Sequence, residues 1–195
     1  ILLATVLLPA VAPAQGRKDR KAAKAANQAA NPEGPVDLDL GRAKLDAAVA
    51  ATAAGDAGKQ SDWPAVAVGS DGSVWMIYVE WNDKDADRIL VRKRSPEGRW
   101  STAVPIEDGN WDHYAPAIVA RGSGALAVWS GQSAGNYDLF AAEISSDGKP
   151  GQPERLTTAR FSDFNVRAAA DAKGNVIIVW QSFRNGNADV YARRL

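Results

Sequence analysis

Asp171-Ala172-Lys173-Gly174-Asn175-Val176-Ile177-Ile178-Val179-Trp180-Gln181-Ser182-Phe183-Arg184-Asn185-Gly186-Asn187-Ala188-Asp189-Val190-Tyr191 holds a turn, an apolar run closed by tryptophan, a polar loop and the start of a second apolar run. Asp, Asn and Gly cluster where the chain must reverse, because they bond their own backbone or reach left-handed conformations at little cost. Val176–Trp180 is short, continuous and β-branched, the pattern of a strand covered on both faces rather than of a helix. Alone the stretch is a hairpin.

Two earlier stretches repeat it. Asp87, Asp138 and Asp189 stand 51 residues apart, as do Tyr78, Trp129 and Trp180. Asp62, Asp112 and Asp163 open the copies, while Gly98 and Gly148, and Ile106 and Leu156, recur at a step of 50. Gly135-Asn136-Tyr137-Asp138 foreshadows Gly186-Asn187-Ala188-Asp189. A period held by several independent positions is the mark of a repeat architecture. In the first copy the strand signals are Pro64–Val68, Val74–Trp81, Arg88–Arg94 and Trp100–Ile106. In the second they are Ala117–Ala120, Ala125–Trp129, Leu139–Ile144 and a segment near Glu154–Leu156. The third offers Arg167–Ala170, Val176–Trp180 and Val190–Arg193. Four short antiparallel strands per repeat form the blade of a β-propeller. The expectation is an all-β fold of such blades over 62–111, 112–162 and 163–195, incomplete at about two and three-quarter blades. Propellers close with four or more blades, and Tyr191–Leu195 lies inside a strand, so a truncated record is expected.

Recurrence also assigns roles. Tyr78, Trp129 and Trp180 end the second strand of each copy, where a large aromatic fills the space between neighbouring sheets. Asp87, Asp138 and Asp189 begin the third strand, where a carboxylate can accept backbone N–H bonds and lock the preceding loop. Asp83-Lys84-Asp85-Ala86-Asp87 alternates carboxylates, but a helix-loop-helix calcium loop needs glycine at its sixth position, and Arg88 stands there. The innermost strand starts at the end of the blade to which the loop between strands two and three returns. That end therefore gathers Trp63, His113, Tyr114 and Phe164 from strand starts, and Trp81, Asp85, Asn136, Arg184 and Asn185 from loops. Aromatics beside amides and charges make a surface for sugar or peptide. No G-x-S-x-G nucleophile context is present, and no two carboxylates are marked as a glycosidase pair. His113 beside Asp112 is read as a surface group on a loop.

Composition narrows the classes. Lys plus Arg and Asp plus Glu number 23 each, which argues against nucleic acid as partner. The chain has no cysteine and one histidine, which excludes disulfides, thiolate sites and multi-histidine metal centres. No cofactor is expected. Residues 1–14 form a short apolar run ending in Ala12-Pro13-Ala14, a signal-type leader too short to span a bilayer. Residues 15–60 are rich in Ala and Lys and read as a linker, partly helical or disordered. Export to the periplasm or beyond is the expectation, with no membrane span.

Asp171–Tyr191, with Arg155-Leu156-Thr157-Thr158 before it, resembles the TolB-like, WD-type propeller repeats of exported bacterial proteins. The resemblance covers residues 62–195 and implies a binding or scaffolding platform. The leading expectation is a non-enzymatic module that binds protein or glycan in the cell envelope. Its rival is an exported hydrolase, sialidase-like or with a catalytic domain beyond Leu195.

Overall fold

Short apolar runs cut by glycine turns fold into eleven strands in the computed structural model, which describes residues 59–81, 87–107, 112–133 and 135–195. The leader at 1–14, the linker as far as residue 58, and Asp85 lie outside the described residues. The first copy forms β1 (Gln60–Val68), β2 (Val74–Trp81), β3 (Arg88–Arg94) and β4 (Val104–Glu107). The second forms β5 (His113–Arg121), β6 (Gly124–Ser133), β7 (Asn136–Ile144) and β8 (Glu154–Arg155). The third forms β9 (Asp163–Ala170), β10 (Val176–Ser182) and β11 (Asp189–Arg194). Each copy is one antiparallel meander in chain order. The propeller-blade architecture is thus present, with four, four and three strands.

The tight turns follow from their letters. At Ser145-Ser146-Asp147-Gly148 the Gly148 N–H donates to the Ser145 carbonyl at 2.9 Å, and Gly148 takes φ +85°. A side chain is poorly tolerated there. Asp171 accepts from the Lys173 and Asn175 N–H groups at 2.8 and 2.9 Å, an Asx-type lock on the equivalent turn of the third sheet.

Two apolar layers join the sheets. Trp75, Ile77, Val79 and Ile89 of the first sheet pack with Ile118, Ala127, Trp129 and Phe140 of the second. Leu126, Val128, Leu139 and Ala141 of the second meet Val166, Val176, Ile178 and Trp180 of the third. Trp129 therefore sits in one layer and Trp180 in the next, while Tyr78 is buried with Met76 and Leu90 on the other side of the first sheet. A continuous apolar run suits β6 because both of its faces are covered.

The strands differ from the sequence pattern at their polar ends. β1 begins at Gln60 and β5 at His113, because Gln60, Ser61 and Asp62 pair with Trp81, Glu80 and Val79, and His113 and Tyr114 pair with Gly131 and Ser130. Their polarity reads as loop, yet the ladder recruits them. β4 begins at Val104 rather than Trp100, which makes only an isolated bridge to Arg94. There the Ser101 N–H donates to the Lys93 carbonyl at 2.8 Å, but the return bonds run through side chains: the Ser101 hydroxyl accepts the Lys93 N–H at 3.1 Å and the Ser101 carbonyl accepts from Arg92 Nε at 2.8 Å.

Candidate functional site

In each sheet the innermost strand slips register at the same place. The slips fall between Asp62 and Ala65, between Tyr114 and Ala117, and opposite Val179–Gln181. Trp63, Ala115 and Asn165 carry φ of +54°, +42° and +57°. A bulge re-aims side chains at the end of a strand, and here the re-aimed chains include the predicted aromatics. The Trp63 and Tyr114 rings lie 4.3 Å apart at 51°, and Tyr114 meets Tyr137 edge-on at 6.4 Å. β1, β5 and β7 thus contribute to one aromatic cluster where the first two sheets meet. A groove of about 250 Å³ runs beside it between the innermost strands, lined by Trp63, Pro64, Val66, Pro116 and Arg167.

The third sheet presents a different set at its corresponding end. Phe164 stacks on Phe183 at 5.5 Å, and the Arg184 guanidinium lies 4.1 Å from the centre of the Tyr191 ring. Arg184 also donates to both oxygens of buried Asp163, at 2.9 and 3.1 Å, and through Nε to Ser182 at 2.9 Å. Asn185 is exposed and donates to the Tyr191 hydroxyl at 2.8 Å and to Asp189 at 3.3 Å. Asn136 donates to the Ala159 carbonyl at 3.1 Å.

Beneath the aromatics lies a buried polar layer: Glu80, Asp87, His113, Ser130, Asp138, Asp163 and Ser182. Its carboxylates are held by donors. Glu80 is ion-paired with Arg88. Asp87 accepts the His113 backbone N–H at 3.1 Å and so ties the first sheet to the second. Asp138 is paired with Arg155 at 2.5 Å. Burial pushes the Asp138 carboxyl above its ordinary pKa, with the neighbouring Asp163 adding to the rise and Arg155 opposing it. Asp189 accepts from Asn187 at 2.8 Å and locks its own loop.

His113 is fully buried as the first residue of β5, which corrects the reading of it as a loop residue at the surface. The ladder with Gly131 encloses it, leaving no room for a side chain on that glycine without pressing on the Phe140 ring. Trp81 is likewise buried, with its indole N–H donated to Asp62 at 3.2 Å. Of the predicted face, Trp63 and Tyr114 come together, Phe164, Arg184 and Asn185 gather on the third sheet, and Asp85 lies outside the described residues. Tyr137, Phe183 and Tyr191 join these groups without having been singled out. Tyr137 was within reach, since it sits inside the Gly135–Asp138 motif. Among the described residues, no three of His, Asp or Glu stand close enough to hold a metal ion.

No protein-family model matches the sequence, and no curated protein matches it. Solved structures do. An endo-arabinase from Bacteroides thetaiotaomicron is similar at TM-score 0.52 and 15% identity, over 69% of this chain and 56% of that one. A protein of unknown function from Dyadobacter fermentans gives TM-score 0.52 and 9% identity, over 70% and 51%. A thermostable family-43 glycoside hydrolase gives 0.49 and 13%, over 72% and 56%. The chain spans little more than half the length of these three structures. At these identities the likeness shows the fold, a β-propeller of four-stranded blades.

Proposed function

We propose that the chain belongs to an exported carbohydrate-acting propeller of the glycoside-hydrolase kind, and that the end carrying Trp63, Tyr114 and Tyr137 holds sugar rings. Half-buried Trp63 and Tyr114, backed by the buried Tyr137 ring and standing beside an open groove that Trp63 lines, carry the reading. Tyr and Trp offer an apolar face with a polar tip, which suits the alternating CH and OH surfaces of a sugar. The shared fold with an endo-arabinase supports the assignment, and the leader-type apolar run supports export. In this reading Glu80, Asp138 and Asp163 build the framework, because each is ion-paired with an arginine. Hydrolysis needs two carboxyl groups facing each other across the bond to be cut.

The same pairing favours a second reading, a non-enzymatic module that presents this end to a glycan or protein of the cell envelope. The TolB-like, WD-type likeness of the repeat belongs with it. One experiment separates the two. The protein is incubated with arabinan and with sialylated oligosaccharides, reducing ends are measured, and the same sugars are tested for binding with Trp63→Ala and Tyr114→Ala. Cleavage supports the first reading; binding without cleavage, weakened in both variants, supports the second. Binding unchanged in both variants, or none to any sugar, removes the sugar-holding role from this end.

A further inference from the structure

Strand pairing puts three positions of the innermost strands in correspondence. Ala65 pairs with Ile77, Ala117 with Val128 and Arg167 with Val179, and each partner directly precedes the repeated aromatic of its second strand. Ala65, Ala117 and Arg167 are therefore one place in three copies. All three line the groove of about 250 Å³ that runs beside Trp63. In the first two copies a methyl group fills the place: Ala117 is buried, and Ala65 packs against the first apolar layer. The third copy sets a long, exposed cation there. Breaks in a pattern of this kind concentrate at functional sites, because the fold itself asks only for a small residue.

The charge is also uncommitted. Arg88, Arg155 and Arg184 each pair with a buried carboxylate. Arg167 donates from Nη1 to the neighbouring Val166 carbonyl at 2.8 Å and pairs with no carboxylate among the described residues. That bond steadies the guanidinium and leaves its remaining N–H groups open. The groove walls are otherwise apolar, Pro64, Val66, Pro116 and Ile118 among them, and no acidic side chain lines them among the described residues. An anion held against such walls meets few competing waters, and a charge-assisted hydrogen bond strengthens there.

We propose that Arg167 makes the groove selective for acidic sugars, holding the carboxylate of a hexuronate whose ring lies toward Trp63 and Tyr114. The planar guanidinium fork matches a planar carboxylate through two parallel N–H···O bonds. A neutral sugar gives the fork nothing that water does not, and covering the cation with an uncharged ring costs its hydration. The proposal rests on the reading that this end holds sugar rings, and adds which sugars they are.

Galacturonate oligosaccharides, their methyl esters (the same chains without the charge) and arabinan oligosaccharides are titrated calorimetrically into the full chain. The acid is expected to bind about tenfold or more tighter than its ester, the scale of one hydrogen bond to a charged group. Arg167→Ala restores the residue of the other two copies, so its thermal midpoint should be unchanged while acid and ester bind alike. Arg167→Lys keeps the charge, loses the fork and should recover only part of the preference. Acid and ester bound equally by the unaltered chain, or a preference that survives Arg167→Ala, overturns the proposal and leaves the sugar-holding reading standing. A sulfated oligosaccharide bound as tightly as the uronate overturns it too, since bare charge then suffices. An Arg167→Ala midpoint lowered by several degrees, with every sugar weakened alike, assigns Arg167 a structural role instead. Binding of none of these sugars overturns both readings together.

Discussion

Trp129→Ala tests whether the repeated aromatic welds the sheets together. Trp129 is 1% exposed, stacks 6.2 Å from Phe140 at 20°, and shares its layer with Trp75, Ile77 and Val79. A buried aromatic removes about 150–250 Å² from water, worth roughly 4–6 kcal/mol at about 25 cal/mol per Å². Alanine keeps a small part of that, and the unfilled cavity adds a penalty, so the net loss is about 3–5 kcal/mol. With a urea slope of about 2 kcal/mol per molar, the unfolding midpoint of the 195-residue chain should fall by about 1.5–2.5 M. A domain of ordinary stability has only about 5–15 kcal/mol to lose, so Trp129→Phe, with a loss of about 1–2 kcal/mol, provides a milder measurement should the alanine variant fail to fold. Ile177→Ala is the control in the same chain, where its exposed side chain should cost no more than about 0.5 kcal/mol. A Trp129→Ala shift below about 0.3 M, or an Ile177→Ala shift of equal size, would refute the stacked-sheet reasoning.

Asp87→Ala leaves the buried His113 N–H without its acceptor and should cost about 1–3 kcal/mol in urea unfolding, mostly by loosening the first sheet from the second. Gly124→Ala drives a Cβ to 2.1 Å from the Ile144 carbonyl oxygen and should destabilise the chain by about 1–3 kcal/mol in urea unfolding. The Asp147 carboxyl lies at about 2, below its ordinary 3.8, through hydrogen bonds with Lys149 and Ser145. Its contribution is therefore present above pH 3.8 and lost as pH falls toward 2, so Asp147→Asn should flatten the acid limb of the stability curve. Asp138 runs the other way: a carboxyl raised by burial favours folding below its unfolded pKa, and that advantage fades as pH climbs through the folded value. Asp138→Asn should remove this opposing trend, which a pH series of thermal melts will show.

The faces of the sheets were legible in the sequence because burial depends on pattern, and pattern survives changes of residue. Tyr78, Trp129 and Trp180 hold matching places in the second strand of all three copies, although each strand runs on past the aromatic that was expected to end it, to Trp81, Ser133 and Ser182. Contacts depend on register, which the letters alone do not reveal. Gly131 faces Asp138 and Ser182 faces Asp189, but Glu80 faces Arg88, so the first sheet returns one residue later than the other two. Asp87 is thereby displaced from the position its spacing implies and reaches across to the His113 N–H, while Arg88 takes the vacated place and pairs with Glu80. The same letter at the same interval thus makes an inter-sheet tie in the first copy, an arginine pair in the second and a loop lock in the third. The bulges at Trp63 and Ala115 were hidden for a related reason: neither glycine nor asparagine marks these left-handed positions, whereas Asn165 in the third copy is a residue type that adopts them readily. A side-chain-bearing residue held at positive φ costs about 1–3 kcal/mol, and the chain adopts it at the start of the innermost strand in every sheet. That expense recurs where Trp63 is turned toward Tyr114 and nowhere along the outer strands among the described residues, which places the structural demand on how this end of the blades is shaped rather than on the ladder itself.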